Sequence, residues 1–159
     1  MENQYLDSNL DGSATQYKEY ANFGYRLLAY IIDAILLYVV QMGVLMAFGV
    51  SAMASDPDIL QNGIPTSFWL AYGAVIVLQW LYFAYFESSE KQGTFGKQAL
   101  GLVVTDMNGG RISFAQATGR YFSKLISAII ILIGFLMQPF TQKKQALHDM
   151  IAGTLVYKK

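Results

Sequence analysis

The chain has 159 residues, room for one compact unit rather than two domains, and it is 54% hydrophobic with only 14% of residues charged. Soluble domains carry about 25% charged residues, spread through every helix; here charge is nearly absent from three stretches and gathered between them, which is the layout of a membrane protein. A formal net charge of zero gives no basic field for nucleic acid, the lack of cysteine excludes disulfide and thiolate chemistry, and one histidine, His148, rules out a multi-histidine metal site built by this chain alone.

Residues 1–19 read as a polar, mildly acidic tail, with Glu2, Asp7, Asp11 and Glu19 against Lys18, ahead of a membrane domain over 20–157. A cleavable signal peptide needs a basic start followed closely by an apolar core, and neither is present, so the first apolar segment is expected to serve as an uncleaved anchor. From Leu27 to Val50, over 24 positions, Asp33 is the one charged residue. At 1.5 Å per residue this is roughly 36 Å of helix, enough to cross about 30 Å of hydrocarbon with some tilt. A first helix over about 25–50 is predicted. Phe68 to Phe86 carries no charge over 19 positions and reads as a second span, with Trp69, Tyr72, Trp80, Tyr82 and Tyr85 toward its ends, where amphipathic rings favour the headgroup zone.

The connection from Ser51 to Pro65 has Asp56 and Asp58 but no lysine or arginine, so it is expected outside. The N-terminal tail and the connection from Glu87 to Arg120, with Lys91, Lys97, Arg111 and Arg120, are then cytoplasmic. Within that connection, Leu102 to Thr105 and Arg111 to Phe114 read as two short strands about Asp106-Met107-Asn108-Gly109-Gly110, where Asn-Gly-Gly supplies positive φ at low cost. Ser113 and Gln116 have the capping-box spacing for a helix over Phe114 to Lys124, whose Arg120 and Lys124 suit a position along anionic headgroups. A third apolar segment, Leu125 to Met137, is 13 residues long and is followed at once by Gln138, Pro139, Thr141 and Gln142. Segments this short either cross or re-enter. A returning segment keeps Lys143, Lys144, Lys158 and Lys159 inside, as the positive-inside bias favours; a plain third crossing puts them outside. The expected fold is an all-α membrane protein: two full transmembrane helices, a third short spanning or re-entrant helix over about 123–138, a small cytoplasmic hairpin and an interfacial helix.

Asp33 is the most informative residue, because an aspartate well inside a span costs roughly 2.5–3.5 kcal/mol on insertion scales and calls for a partner or a task. Arg26 lies seven residues before it, two helical turns, on the same face. Tyr30 lies between them and Gln41 continues the stripe, which should face protein or water rather than lipid. Two roles stay open for Asp33: a structural ion pair or hydrogen-bond anchor, and a cation or proton site. Near the C-terminus His148 stands beside Asp149. Neighbours on a helix point about 100° apart and rarely bond each other, so a catalytic dyad is not expected. Asp149 serves better as the partner of Arg26, which requires both on one side of the membrane. Gly93-Thr94-Phe95-Gly96-Lys97-Gln98 looks superficially like a phosphate loop, but Lys91 stands where the first glycine belongs and Gln98 where Ser or Thr would bind magnesium. Those glycines instead shape a bend below the second span.

Three segments together resemble one family. Phe23-Gly24-Tyr25-Arg26-Leu27-Leu28-Ala29-Tyr30-Ile31-Ile32-Asp33 is similar to the first-helix signature of the RDD family of bacterial membrane proteins, named for one arginine and two aspartates. Gly93 to Val104 is similar to its glycine-containing connection, and Leu147 to Thr154 to its C-terminal signature. The resemblance runs from about Tyr20 to Val156. It makes Arg26 the family arginine and Asp33 and Asp149 the two aspartates, with Lys97, Arg120 and His148 in the accompanying motifs. It implies about three transmembrane regions, a function largely unknown, transport of unidentified ligands as the usual suggestion and sodium/proton exchange in some members.

Two functions follow as expectations. The first is a small multi-pass protein of the bacterial inner membrane, N-terminus cytoplasmic, that assists transport of an ion or small solute, with Asp33 binding Na+ or H+ and Arg26 and Asp149 tuning its charge. Two or three spans enclose no pathway alone, so this predicts a homo-oligomer or a larger complex. The second is a non-transporting structural or accessory module. An enzyme is not expected, since no nucleophile–base constellation or metal cluster stands in the sequence, and no cofactor is implied.

Overall fold

A computed structural model of the chain describes residues 19–49, 63–129 and 137–159. After a short strand β1 (Glu19–Tyr20), helix α1 runs from Phe23 to Ala47. Its start is set by Asn22, whose side-chain oxygen accepts the Tyr25 backbone N–H at 3.0 Å, satisfying one of the open amides of the first turn. Helix α2 (Thr66–Ser88) begins behind Pro65, which fixes an extended entry. Both helices are long and apolar enough to cross a membrane, and only 11% and 17% of their most apolar windows are buried. The core helix of a soluble protein hides that surface; these turn it outward, as Ile35, Val39, Trp69 and Leu70 do.

The expectation of an all-α fold is corrected by a three-stranded antiparallel sheet at one end of the helix pair. Strand β2 (Leu102–Asp106) and strand β3 (Thr154–Lys158) pair with Val104 opposite Val156, and β1 adds to the far side of β3, giving the order β1-β3-β2. Leu102, Val103, Val104 and Thr105 are all buried, so this strand is covered on both faces and shows no alternation. The expected hairpin is half present. Asp106 accepts the backbone N–H groups of Asn108 and Gly110, both at 2.8 Å, and Gly109 takes φ 83°, which makes the turn. The returning strand, however, shrinks to a single bridge between Thr105 and Arg111, because on the edge of β2 away from β3 the next position is taken by Gln92, whose carbonyl accepts the Val104 N–H at 2.7 Å and whose side-chain N–H donates to the Val104 carbonyl at 3.2 Å. Ile112 then drops into the core, where Ala21, Ala29, Ala84, Leu102, Val104, Ala117 and Val156 meet. Ala29 and Ala84 place small side chains on α1 and α2 where the sheet approaches them.

Helix α3 (Phe95–Ala99) is a single turn between α2 and β2. Helix α4 (Phe114–Ile129) begins with the reciprocal Ser113–Gln116 cap, at 3.0 and 3.1 Å. It continues past Lys124 without a break, joining the expected interfacial helix to the start of the third apolar segment. It is inverted relative to a soluble amphipathic helix: Ala117, Arg120, Ser123 and Ser127 are buried, while Phe122, Leu125 and Ile126 are exposed. Most of the third segment, 130–136, lies outside the described residues. A 3-10 turn (Gln138–Phe140) and helix α5 (Leu147–Ile151) then lead into β3. Gln138 donates its side-chain N–H to the Ala21 carbonyl at 3.0 Å, and β3 lies between β1 and β2. The chain after the third segment therefore returns to the end from which α1 starts and at which α2 stops.

Candidate functional site

Two buried polar sites meet at that end, each assembled from elements far apart in sequence. The first surrounds Asp33, 1% exposed on α1. The Tyr82 hydroxyl, from α2, donates to its Oδ1 at 2.7 Å; the Thr94 hydroxyl donates to Oδ2 at 2.6 Å; and the Gly96 backbone N–H donates to Oδ1 at 2.7 Å. Tyr82 in turn accepts the Phe95 N–H at 3.1 Å, so two open amides of the first turn of α3 end on this niche. A carboxylate at a helix N-terminus is favoured by the exposed amides, and three donors offset much of its desolvation. The local sequence makes this possible at one point: a Cβ on Gly96 would lie 2.1 Å from the Ala29 carbonyl oxygen and 2.9 Å from the Asp33 carboxyl carbon. The glycine motif after α2 is thus a contact surface for α1, not merely a bend.

The second site is ionic. Asp149, on α5 and fully buried, is paired with Arg26 from α1 and with Arg120 from α4, the latter at 2.6 Å, and its Oδ2 accepts the Ala146 N–H at 3.1 Å. Arg26 also donates to the Lys144 carbonyl at 2.8 Å. Glu87, one residue before the end of α2 and 1% exposed, pairs with Lys97 of α3 at 2.6 Å. It also meets Lys124 at 3.5 Å and Arg120 at 3.7 Å. Arg120 links the two carboxylates, so α1, α2, α3, α4 and α5 are tied by one network. Among the described residues it sets Arg26, Lys97, Arg120 and Lys124 against Glu87 and Asp149.

Burial pushes the Asp149 carboxyl up, and the Arg120 and Arg26 guanidiniums more than offset this, holding it well below the usual carboxylate range. Burial pulls the Lys97 ammonium down to about 7 against the opposing attraction of Glu87, with Arg120 and Lys124 adding repulsion. Burial takes His148 down to about 3, although Asp149 pulls the other way, so its imidazole is neutral at pH 7.

Several expectations change here. Arg26, Asp33 and Asp149 do not form one cluster: Arg26 and Asp149 meet each other, while Asp33 is held by neutral donors and has no ion pair among the described residues. Nor is the ionic network deep along either long helix. Arg26 stands in the first turn of α1 and Glu87 in the last turn of α2, because the partners Arg120 and Asp149 come from the folded end piece. Tyr30 is 62% exposed and takes no part; it falls about 60° round the helix from Asp33, enough to leave the contact face. Gln41 lies further up α1, half-buried against α2. His148 does reach its neighbour, with Nε2 3.3 Å from the Asp149 carboxylate, because that carboxylate folds back onto the Ala146 N–H at the start of a one-turn helix. The sequence reading assigns Glu87, Tyr82 and Thr94 no part in a site. Glu87 had a signal, as the first charge after the uncharged segment Phe68 to Phe86.

The fold and these sites define a helical protein with two span-length apolar helices and a small sheet, its end piece locked by buried charge. The chain belongs to the RDD family, whose model matches residues 20–153. It is 38% identical over 148 residues to an uncharacterised protein, YxaI, of Bacillus subtilis strain 168, covering 87% of this chain and 97% of that one. No solved structure matches it.

Proposed function

We propose that this RDD-family chain is a protein of the bacterial cytoplasmic (inner) membrane, with α1 and α2 as spans and the sheet-bearing end piece in the cytoplasm, and that it acts as a non-transporting accessory module of a membrane complex. The observation that carries the reading is the niche of Asp33. Three of the roughly four lone-pair sites of that carboxylate are taken by donors of its own chain. Little remains for a cation, and what the aspartate accomplishes is to pin α3 to both long helices.

Two further features support the arrangement. Lys91, Lys97, Arg111, Arg120, Lys124, Lys143, Lys144, Lys158 and Lys159 all belong to the end piece, whereas the connection from Ser51 to Pro65 has only Asp56 and Asp58. The end piece also exposes Phe140, Met150 and Ile151, apolar surface of the kind that meets a partner or a membrane face.

The test is ion flux in proteoliposomes under an imposed sodium or proton gradient, for the wild-type chain and for Asp33→Asn, with insertion and folding checked. Background flux from both, together with a lower Tm for the variant, fits the accessory module. Flux from the wild type that Asp33→Asn abolishes in a folded protein overturns it and makes Asp33 the carboxylate of an ion-coupled transporter.

A further inference from the structure

Midway along the helix pair, α1 and α2 meet at a shallow notch lined by Gln41 and Gln79, flanked by Val40, Val44, Val75 and Leu78. Both glutamines are half-buried, and neither side chain has a hydrogen bond or other polar contact among the described residues. Each amide carries two N–H donors and a carbonyl acceptor, which water satisfies at a surface and hydrocarbon does not. The contrast with Asp33 is direct. Eight residues further along the same helix, two amides face the notch between α1 and α2 with no partner among the described residues. The apolar run 130–136 is Ile, Ile, Leu, Ile, Gly, Phe, Leu, and so holds no side-chain donor or acceptor for them.

We propose that this notch is the interface with a second copy of the chain, and that Gln41 and Gln79 of one copy hydrogen-bond to the same amides of the other across a two-fold axis in the bilayer. A primary amide is self-complementary, donor on one side and acceptor on the other. A two-fold operation therefore brings each open group to a matching one without any further residue type. The flanking side chains are aliphatic, so the pairing sits in apolar surroundings where water does not compete. The spans have surface to give, with 11% and 17% of their apolar windows buried within one copy. This inference rests on the membrane reading above but not on whether the protein transports.

The chain has no cysteine, so a single introduced one is the sole thiol. Val40 borders the notch, and Val39 lies on the far side of α1, exposed. The full-length chain carrying Val40→Cys or Val39→Cys is placed in phosphatidylethanolamine/phosphatidylglycerol vesicles and treated with a short bis-maleimide, with the protein diluted in lipid to suppress chance encounters. The expected result is covalent dimer from Val40→Cys at about tenfold the yield of Val39→Cys, falling to the Val39→Cys level when Gln41→Leu and Gln79→Leu are added. Leucine strengthens insertion, so loss of dimer in those variants is not loss of the membrane helix. Equal yield at the two cysteines, or dimer that survives both leucines, overturns the proposal. Protein that alkaline carbonate strips from the vesicles instead overturns the membrane reading, and this proposal with it.

Discussion

Asp33 and Asp149 are both buried aspartates, 1% and 0% exposed, yet the chain holds them by opposite means. Around Asp33, α2, Thr94 and α3 supply neutral O–H and N–H donors; around Asp149, Arg26 and Arg120 supply charge. A niche of neutral dipoles fixes geometry, since every donor must arrive within hydrogen-bond reach of one carboxyl group. A charged network fixes identity, since removing either sign strands the other in a poorly solvated place. The two sites should therefore fail differently when their partners are changed.

The largest effect is expected from Asp149→Ala. It leaves Arg26 and Arg120 facing each other without their shared counter-charge, and breaking a buried pair from one side costs about 3–5 kcal/mol. Thermal unfolding in mild detergent would read this as a collapse of Tm. Replacing Asp149 and Arg120 together by leucine should recover part of the loss; if the double variant is worse than the sum of the singles, the network is not acting through charge balance.

Next comes Gly96→Ala. Its methyl group would stand 2.1 Å from the Ala29 carbonyl oxygen, so α3 must lift away from α1 and the Asp33 niche must open. Overpacking against backbone of this kind costs about 3 kcal/mol. The variant should also raise hydrogen exchange at the Gly96 amide itself. A fully stable Gly96→Ala protein would mean that α3 is not pressed against α1.

Asp33→Asn should be milder, about 1–3 kcal/mol, because an asparagine keeps one acceptor oxygen for the niche while turning an N–H toward a donor. Added salt should leave this loss unchanged, whereas Arg26 and Lys124, the partly exposed members of the ionic network, respond to screening. A salt-dependent loss for Asp33→Asn would break the distinction between the sites.

The effect that is smallest near neutral pH, and grows below it, is on the acid side. His148 has its folded pKa pulled to about 3 from an ordinary 6.5, so the unfolded chain takes up the proton first. Its contribution is fully present above pH 6.5 and is lost as pH falls toward about 3; one unit of pH within that window is about 1.4 kcal/mol at most. Asp149, held below its usual range, adds to the loss only below its ordinary pKa of 3.8. Chemical denaturation between pH 7 and 5 should show the slope, and His148→Gln should flatten it without altering stability above pH 7. An unchanged slope would place the acid sensitivity elsewhere.

By itself the sequence determined what is local or compositional. Length and hydropathy gave both long helices, Ser113 and Gln116 gave the cap of α4, and the Asp106–Gly110 run gave its turn, because each depends on residues a few positions apart. An aspartate in an apolar run announced that it needed partners. Tertiary structure alone decided which partners it received. Tyr82, Thr94 and Gly96 stand 49 to 63 residues from Asp33, and their donors are neutral, so charge pairing pointed past them toward Arg26 and Asp149. Tertiary structure also decided the sheet. Strand β3 is a five-residue run whose partners are β1, before the first long helix, and β2, after the second, and strand pairing over such distances leaves no period in the sequence to read.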